Sequence, residues 1–240
     1  MERYDDDLNP VLEKATDEEL LPLVDYMLKK LSNVIDSDAR YKTNPQNPTS
    51  YVDLIADEIR LFGGNTFANL ARGGVGVPYK EIVCDVADKL KVSYNKASSV
   101  ERIETLILQK IFEDSLERLS EEEKEKALKE LGVVGIPAGA SATIIVQAIL
   151  KMGGFKSYQI ALIVANSVAK FLLGRGLSFA ANASLTKALS VFIGPVGWVI
   201  SSLWMLVDIA GPSYRTTIPC VIHIAALRQK QNSLDLVGME

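Results

Sequence analysis

Leu131 to Val207 contains no aspartate and no glutamate: 77 consecutive residues whose only charges are Lys151, Lys156, Lys170, Arg175 and Lys187. Soluble surfaces ordinarily mix both signs. A long tract that is apolar, one-signed and punctuated by glycine is therefore either a buried helical core or a segment made to meet an apolar surface such as lipid. Other shortages narrow the chemistry. Two cysteines, Cys84 and Cys220, exclude a disulfide-stapled scaffold, and both sit in apolar helical patterns that read as buried free thiols. A single histidine, His223, leaves no histidine cluster for a metal and no choice of general base. No stretch alternates with period two for long enough to make a strand. Basic and aromatic residues are not interleaved on any one segment, which argues against nucleic acid as a partner. The acidic opening, Met1 to Asp7, lacks the apolar core of a secretory signal, so the expected residence is the cytoplasmic side.

What is present is a chain of 240 residues, enough for one large domain or two small ones. Its net charge of −4 hides an asymmetry. Residues 1–130 carry 18 basic and 27 acidic side chains, whereas residues 131–240 carry 8 and 3. The two halves differ in sign and can attract one another.

The first half reads as capped amphipathic helices. Thr16-Asp17-Glu18-Glu19 and Ser120-Glu121-Glu122-Glu123 are capping boxes. Ser50, Asn65 and Ser98 are further candidate N-caps, and Pro78 suits a first helical position. Gly63-Gly64 and Gly132 suit helix ends, and Arg72 to Val77 is a glycine-rich turn. The second half predicts five apolar helices: 137–152, 158–173, 177–193, 196–210 and 217–231. Gly194-Pro195 is read as the break between the third and fourth, which then form a buried helical hairpin. Ala188 to Val207 is uncharged over the usual length of a spanning helix. Broken at Gly194-Pro195, however, each piece is only about 22–26 Å long, short of the roughly 30 Å hydrocarbon slab.

Three readings stay open: a soluble bundle with the hairpin at its centre, a hairpin released conditionally into a bilayer, and permanent membrane residence. Trp198, Trp204, Lys170, Arg175 and Lys187 are the candidate contacts to membrane or client, the cations as snorkelling helix ends and the tryptophans as interfacial anchors or core. Asp208 is the only carboxylate between Leu131 and Leu234. Unpaired burial would be costly, so Asp208, Arg215 and the adjacent Tyr214 form a candidate latch on the Gly211-Pro212 turn.

Motifs for catalysis are weak. Gly73 to Pro78 lacks the Gly-Lys-Ser/Thr ending of a phosphate loop. Gly176-Leu177-Ser178 has no strand before it to make a nucleophile elbow. Cys220-x-x-His223, even joined by Cys84, falls short of a four-ligand zinc site. An enzyme built on the Asp208–Arg215 region would lack an acid–base set.

Arg3 to Met27, Leu61 to Val92 and Asp208 to Arg228 together resemble the YaaW family of bacterial proteins, which is grouped with a ubiquinol–cytochrome c chaperone domain. Phe62-Gly63-Gly64 and Tyr214-Arg215-x-Thr217-Ile218-Pro219 carry the likeness. The resemblance implies an assembly role near the membrane and carries over no catalytic residue.

The expectation is thus an all-α bundle of about nine or ten helices. It divides into an acidic segment (1–44), an amphipathic subdomain (50–132), an apolar bundle (133–232) and a tail (233–240). Its function is expected to be non-enzymatic association with membrane or membrane proteins, peripheral to or inserted in the inner membrane. The alternatives are an assembly chaperone for a membrane or respiratory client and a conditional membrane-inserting effector. Neither metal nor cofactor is expected.

Overall fold

The structure, a computed structural model, describes residues 4–29, 34–64, 75–178, 186–204 and 213–237. Among them are eleven α-helices, one 3-10 helix and no strand. They are α1 (Asn9–Glu13), α2 (Asp17–Leu28), α3 (Ala39–Thr43), the 3-10 turn (Pro48–Tyr51), α4 (Val52–Gly63), α5 (Tyr79–Lys89) and α6 (Val100–Leu116). There follow α7 (Glu121–Glu130), α8 (Ala142–Lys151), α9 (Gly154–Leu173), α10 (Thr186–Trp204) and α11 (Tyr214–Val237).

The local signals act as the sequence suggests. Glu19 reaches back to the Thr16 amide at 3.1 Å, and Ser120 and Glu123 exchange bonds of 2.9 and 3.3 Å. α6 starts one residue later than expected, with Ser99 Oγ accepting from the Arg102 amide at 3.3 Å. The 3-10 turn displaces the cap expected at Ser50 to Tyr51. Asn65 and Arg72 to Gly74 lie outside the described residues.

Every residue from Thr216 to Leu227 of α11 is buried, as is every residue from Gln159 to Ala169 of α9. A helix buried on all faces needs neighbours on all faces. α11 packs against α1, α2, α4, α5, α6 and α9, while α9 also meets α10. The last helix of the chain is therefore the axis of the fold, not a packed terminus, and it continues through residues 232–237, where fraying was expected.

The expected hairpin is corrected. Gly194-Pro195 does not separate two helices but lies inside α10. An internal proline costs about 3 kcal/mol. Phe192, Val196, Val199 and Ile200 are buried on the same helix at about 1.5–3 kcal/mol each, which outweighs it. Phe192 stacks on Phe112 of α6 with ring centroids 4.7 Å apart. The central buried pair is α9 with α11, which are not consecutive. α8 is shorter than expected, because residues 133–137 are not helical and Ser141, not Pro137, caps it.

One loop is clamped to the frame. Val77 donates its amide to the Arg60 carbonyl at 3.1 Å, and Arg60 Nε returns a bond to the Val77 carbonyl at 3.1 Å. Gly76 between them has φ +76°, and a Cβ there would sit 2.6 Å from the Arg60 carbonyl carbon. Gly76→Ala is expected to cost about 2–5 kcal/mol, combining left-handed strain with a backbone overlap that no rotamer relieves. Gly135, with φ +80° and open space around it, is the control: Gly135→Ala should cost about 1–2 kcal/mol. Urea unfolding of the two variants measures the difference.

Candidate functional site

The polar residues of α11 are the first place to look for chemistry, because they are carried into the core. Arg228 Nε meets Glu104 Oε2 of α6 at 2.7 Å, and its Nη2 meets Oε1 at 3.3 Å. The same nitrogen donates to the Asp7 carbonyl at 2.5 Å. Tyr79 of α5 adds its hydroxyl to Glu104 Oε1 at 2.8 Å. Glu104 is 1% exposed. Burial is the largest influence on it and pushes its carboxyl above the ordinary range, against the opposing pull of Arg228 and Tyr79.

One turn earlier, His223 is also sealed. Its Nε2 lies 2.8 Å from the Glu19 carbonyl, and its ring meets Tyr26 edge-on at 6.1 Å. Burial lowers its pKa to about 4, so the ring is neutral and Nε2–H donates. Glu19, which closes the capping box of α2, also pairs with Lys230. Gln229, Gln231 and Asn232 extend the seam to Thr105, the Val11 carbonyl and Glu101. A second shared carboxylate stands at the edge: Asp5 Oδ2 accepts from the Tyr79 amide at the start of α5 at 2.8 Å and lies 3.9 Å from Arg60 Nε. Sequence reasoning missed Glu104, Arg228 and Tyr79. The one available signal was an arginine beginning the polar end of an otherwise apolar helix.

This assembly cannot turn over a substrate. Its acid, base and hydroxyl are consumed by one another beneath the surface, so no reacting atom can reach them. Among the described residues no group of three or more metal-ligating side chains occurs. Cys220 is buried, its thiol pushed far up by burial, and Cys84 lies half-buried on α5.

The predicted contact residues scatter. Trp198 is 69% exposed on α10. Arg175 pairs with Asp25 of α2, and Lys29 nearby reaches the Leu172 carbonyl, so α2 is strapped to the end of α9. Lys170 is exposed beside a cleft of about 630 Å³ bordered by Leu21, Pro22, Asn166, Leu177 and Ile193. Within the cleft wall Asn166 Oδ1 accepts from the Leu177 amide at 3.0 Å, and Ser178, once considered as an elbow serine, lies on its rim. Lys187 and Trp204 belong to α10. Of the proposed latch, Asp208 lies outside the described residues. Arg215 is exposed in the first turn of α11, and Tyr214 receives Lys89 over its ring at 4.6 Å.

The surface has one further asymmetry. Among the described residues the large apolar side chains left exposed are Tyr4, Val134, Ile144, Met152, Phe155, Phe171 and Trp198, and six of these seven fall between residues 134 and 198. Phe171 lies over Gly197, where a Cβ would sit 2.7 Å from its ring. No helix among the described residues is long and apolar enough to cross a membrane.

Residues 49–223 match the ubiquinol–cytochrome C chaperone family. The chain belongs to that family. A UPF0174 protein of Helicobacter pylori strain J99 is 44% identical over 95% of this chain and 92% of its own length. One from H. pylori strain 26695 is 38% identical over 82% and 96%. The UPF0174 protein YaaW of Escherichia coli O157:H7 is 29% identical over 83% and 81%. No solved structure matches. The family match ends at His223 and begins after α3, so Asp7, Glu19 and Arg228 of the core seam all lie outside it.

Two measurements test the seam. Arg228→Met, which leaves Glu104 buried and unpaired, is expected to cost about 3–5 kcal/mol by urea unfolding. Adding Glu104→Gln should recover at least about 1 kcal/mol of that as coupling. For His223, the unfolded chain takes up a proton below its ordinary pKa of 6.5 while the folded chain resists to about 4. Stability is therefore lost as pH falls through that window, about 2 kcal/mol of it by pH 5. Glu104 acts with the opposite sign, its burial penalty easing as its raised carboxyl protonates. The His223→Gln variant should lack the histidine part, so its unfolding free energy between pH 7 and pH 5 should change less than that of the parent by about 2 kcal/mol.

Proposed function

We propose that this chain is a non-enzymatic holding chaperone that shields apolar segments of a protein client during assembly. One observation carries the reading: six of the seven exposed large apolar side chains lie on residues 134–198. A fold that buries residues 159–169 of α9 and 216–227 of α11 on every face has the means to bury these too, and leaves them outside instead. Exposed apolar side chains gathered in one part of a chain mark a surface that other molecules cover. The family name supports the direction, since its ubiquinol–cytochrome C client is a membrane-bound respiratory assembly. The buried, self-satisfied charges of the core favour a binding role over catalysis.

Two groups of contacts are available. Ile144, Met152 and Phe155 surround the corner of α8 and α9, and Phe155 stands 6.5 Å from Tyr158. Phe171 and Trp198 meet where the end of α9 crosses the middle of α10. Met and aromatic side chains suit a surface that must accept different partners. Direct association with lipid is the rival reading; no helix among the described residues is long and apolar enough to span, which does not weigh against a peripheral contact. The protein partner is favoured because Arg175, one of the cations proposed for headgroups, is held by Asp25.

The test is suppression of aggregation. The native protein is expected to keep a membrane-protein client in solution after dilution from detergent. Phe155→Asp with Trp198→Asp should weaken that hold at least tenfold, corresponding to loss of about 1.5–3 kcal/mol per buried aromatic. Co-sedimentation with anionic vesicles but no effect on client aggregation would replace the chaperone reading by the lipid one.

A further inference from the structure

Between α7 and α8 the chain forms a groove that the seam and the exposed aromatics leave untouched. α7 ends in a Schellman motif: the Val133 amide donates to the Leu128 carbonyl at 2.9 Å and the Gly132 amide to the Lys129 carbonyl at 3.0 Å. The chain then runs without regular secondary structure through residues 133–137, with Gly135 in the left-handed region at φ +80°, and turns at Pro137, whose carbonyl accepts from the Ala140 amide at 3.2 Å. The groove between this strap and α7 measures about 590 Å³, within the range of sites that enclose a ligand.

Its floor is apolar: Leu128, Val133, Ile136 and Ile145. Val133 and Ile145 are buried, which fixes the floor to the core. Val134, on the strap, is 87% exposed, the highest of the large apolar residues. The amides of Val134, Gly135, Ile136, Ala138 and Gly139 form no hydrogen bond with any described residue. Gly135 and Gly139 both have positive φ and nothing within 4 Å of a Cβ position. The strap is not a sheet edge, but it offers backbone donors without side-chain obstruction that an incoming segment can engage individually.

The opposite wall is acidic. Glu121, Glu122 and Glu125 line it, with Lys124 and Lys129. Glu121 is satisfied by Lys124 at 2.7 Å. Glu122 and Glu125 are exposed and form no ion pair with a described residue. They stand three residues apart on one face of α7. The strap itself carries no carboxylate, because the sequence has none from Leu131 to Val207.

From these three features we infer that the groove is a docking site for an extended peptide segment of a partner protein, with small apolar residues at alternate positions and lysine or arginine at one end. The strap pairs with its backbone, the floor receives its alternate side chains, and Glu122 and Glu125 receive its cations. Lys129, one turn further along the wall, repels a second cation and so fixes the direction in which the segment lies. The inference rests on the client-holding reading and gives it a specific site.

The experiment uses the full chain and a fluorescein-labelled nonapeptide, Lys-Arg followed by alternating valine and serine, with a control in which Asp-Glu replaces Lys-Arg. Anisotropy titration at low salt should show the cationic peptide binding at least tenfold more tightly than the control. The difference should shrink several-fold in half-molar salt, where surface charges are screened. Glu122→Lys with Glu125→Lys should reverse the preference, and Val134→Asp should weaken both peptides at least fivefold. Equal binding of the two peptides, or titrations unchanged in these variants, would overturn the site. The aggregation assay keeps the two claims apart. A native protein that suppresses aggregation but binds neither peptide removes the groove and leaves the chaperone. Groove-dependent peptide binding by a native protein that suppresses no aggregation removes the chaperone and leaves the groove.

Discussion

Complete burial of α11 is the constraint from which the rest of the structure follows. A helix sealed from Thr216 to Leu227 must bring its polar end with it, and Arg228 enters with its Nε and Nη2 donating to Glu104 and the Asp7 carbonyl, while the Tyr79 hydroxyl donates to the same Glu104. Such a pair need not add net stability, since desolvation of two ions offsets much of their attraction. What it does supply is register. A rotation or slip of α11 by one residue would leave Arg228 facing apolar side chains and Glu104 alone. The same holds one turn back, where His223 reads the end of α2 through the Glu19 carbonyl while the Glu19 side chain reads Lys230.

These contacts also explain how the charge asymmetry of the chain is used. The acidic half donates its carboxylates across to the half that has almost none. Glu104 meets Arg228, Glu19 meets Lys230, Asp25 meets Arg175, and Glu113 accepts from Thr143. Each crossing joins a helix before residue 130 to a segment after residue 140. The halves are interleaved through α11 rather than laid side by side, so the first residues of the chain and the last close one core.

Local chemistry was legible in the sequence and long-range geometry was not. Thr16 with Glu19, Ser120 with Glu123, and Gly132 as a helix end depend on neighbours within four residues, and all three appear as read. Gly194-Pro195 was misread because the rule that proline ends helices is also local, whereas the burial of Phe192 and Val196 against α6 and α9 is not. Glu104 was invisible for a related reason. In Val100-Glu101-Arg102-Ile103-Glu104 two glutamates look alike, and only the position of α11, more than a hundred residues away, decides that one faces solvent and the other faces Arg228. The latch was sought at Asp208 because carboxylates are scarce there, but the buried ion pair that organises α11 draws its acid from the half where they are plentiful.

The distribution of satisfied and unsatisfied groups then separates binding from catalysis. Every ionisable side chain in the α11 seam has its partners inside the protein, which removes those groups from any chemistry on a substrate and spends them on rigidity. Among the described residues, groups left without internal partners include exposed apolar side chains at Ile144, Met152, Phe155 and Trp198, the carboxylates of Glu122 and Glu125, and backbone amides of Val134, Gly135, Ile136, Ala138 and Gly139. Apolar area and free backbone donors are what one protein segment recognises in another. A rigid axis matters for that purpose, because a binding face built on α8, α9 and α10 holds its shape only if the helices beneath it cannot turn. The ion pair at Arg228 and the sealed ring of His223 fix α11, α11 fixes α9, and α9 carries the exposed surface at both its ends, Phe155 at the first turn and Phe171 at the last.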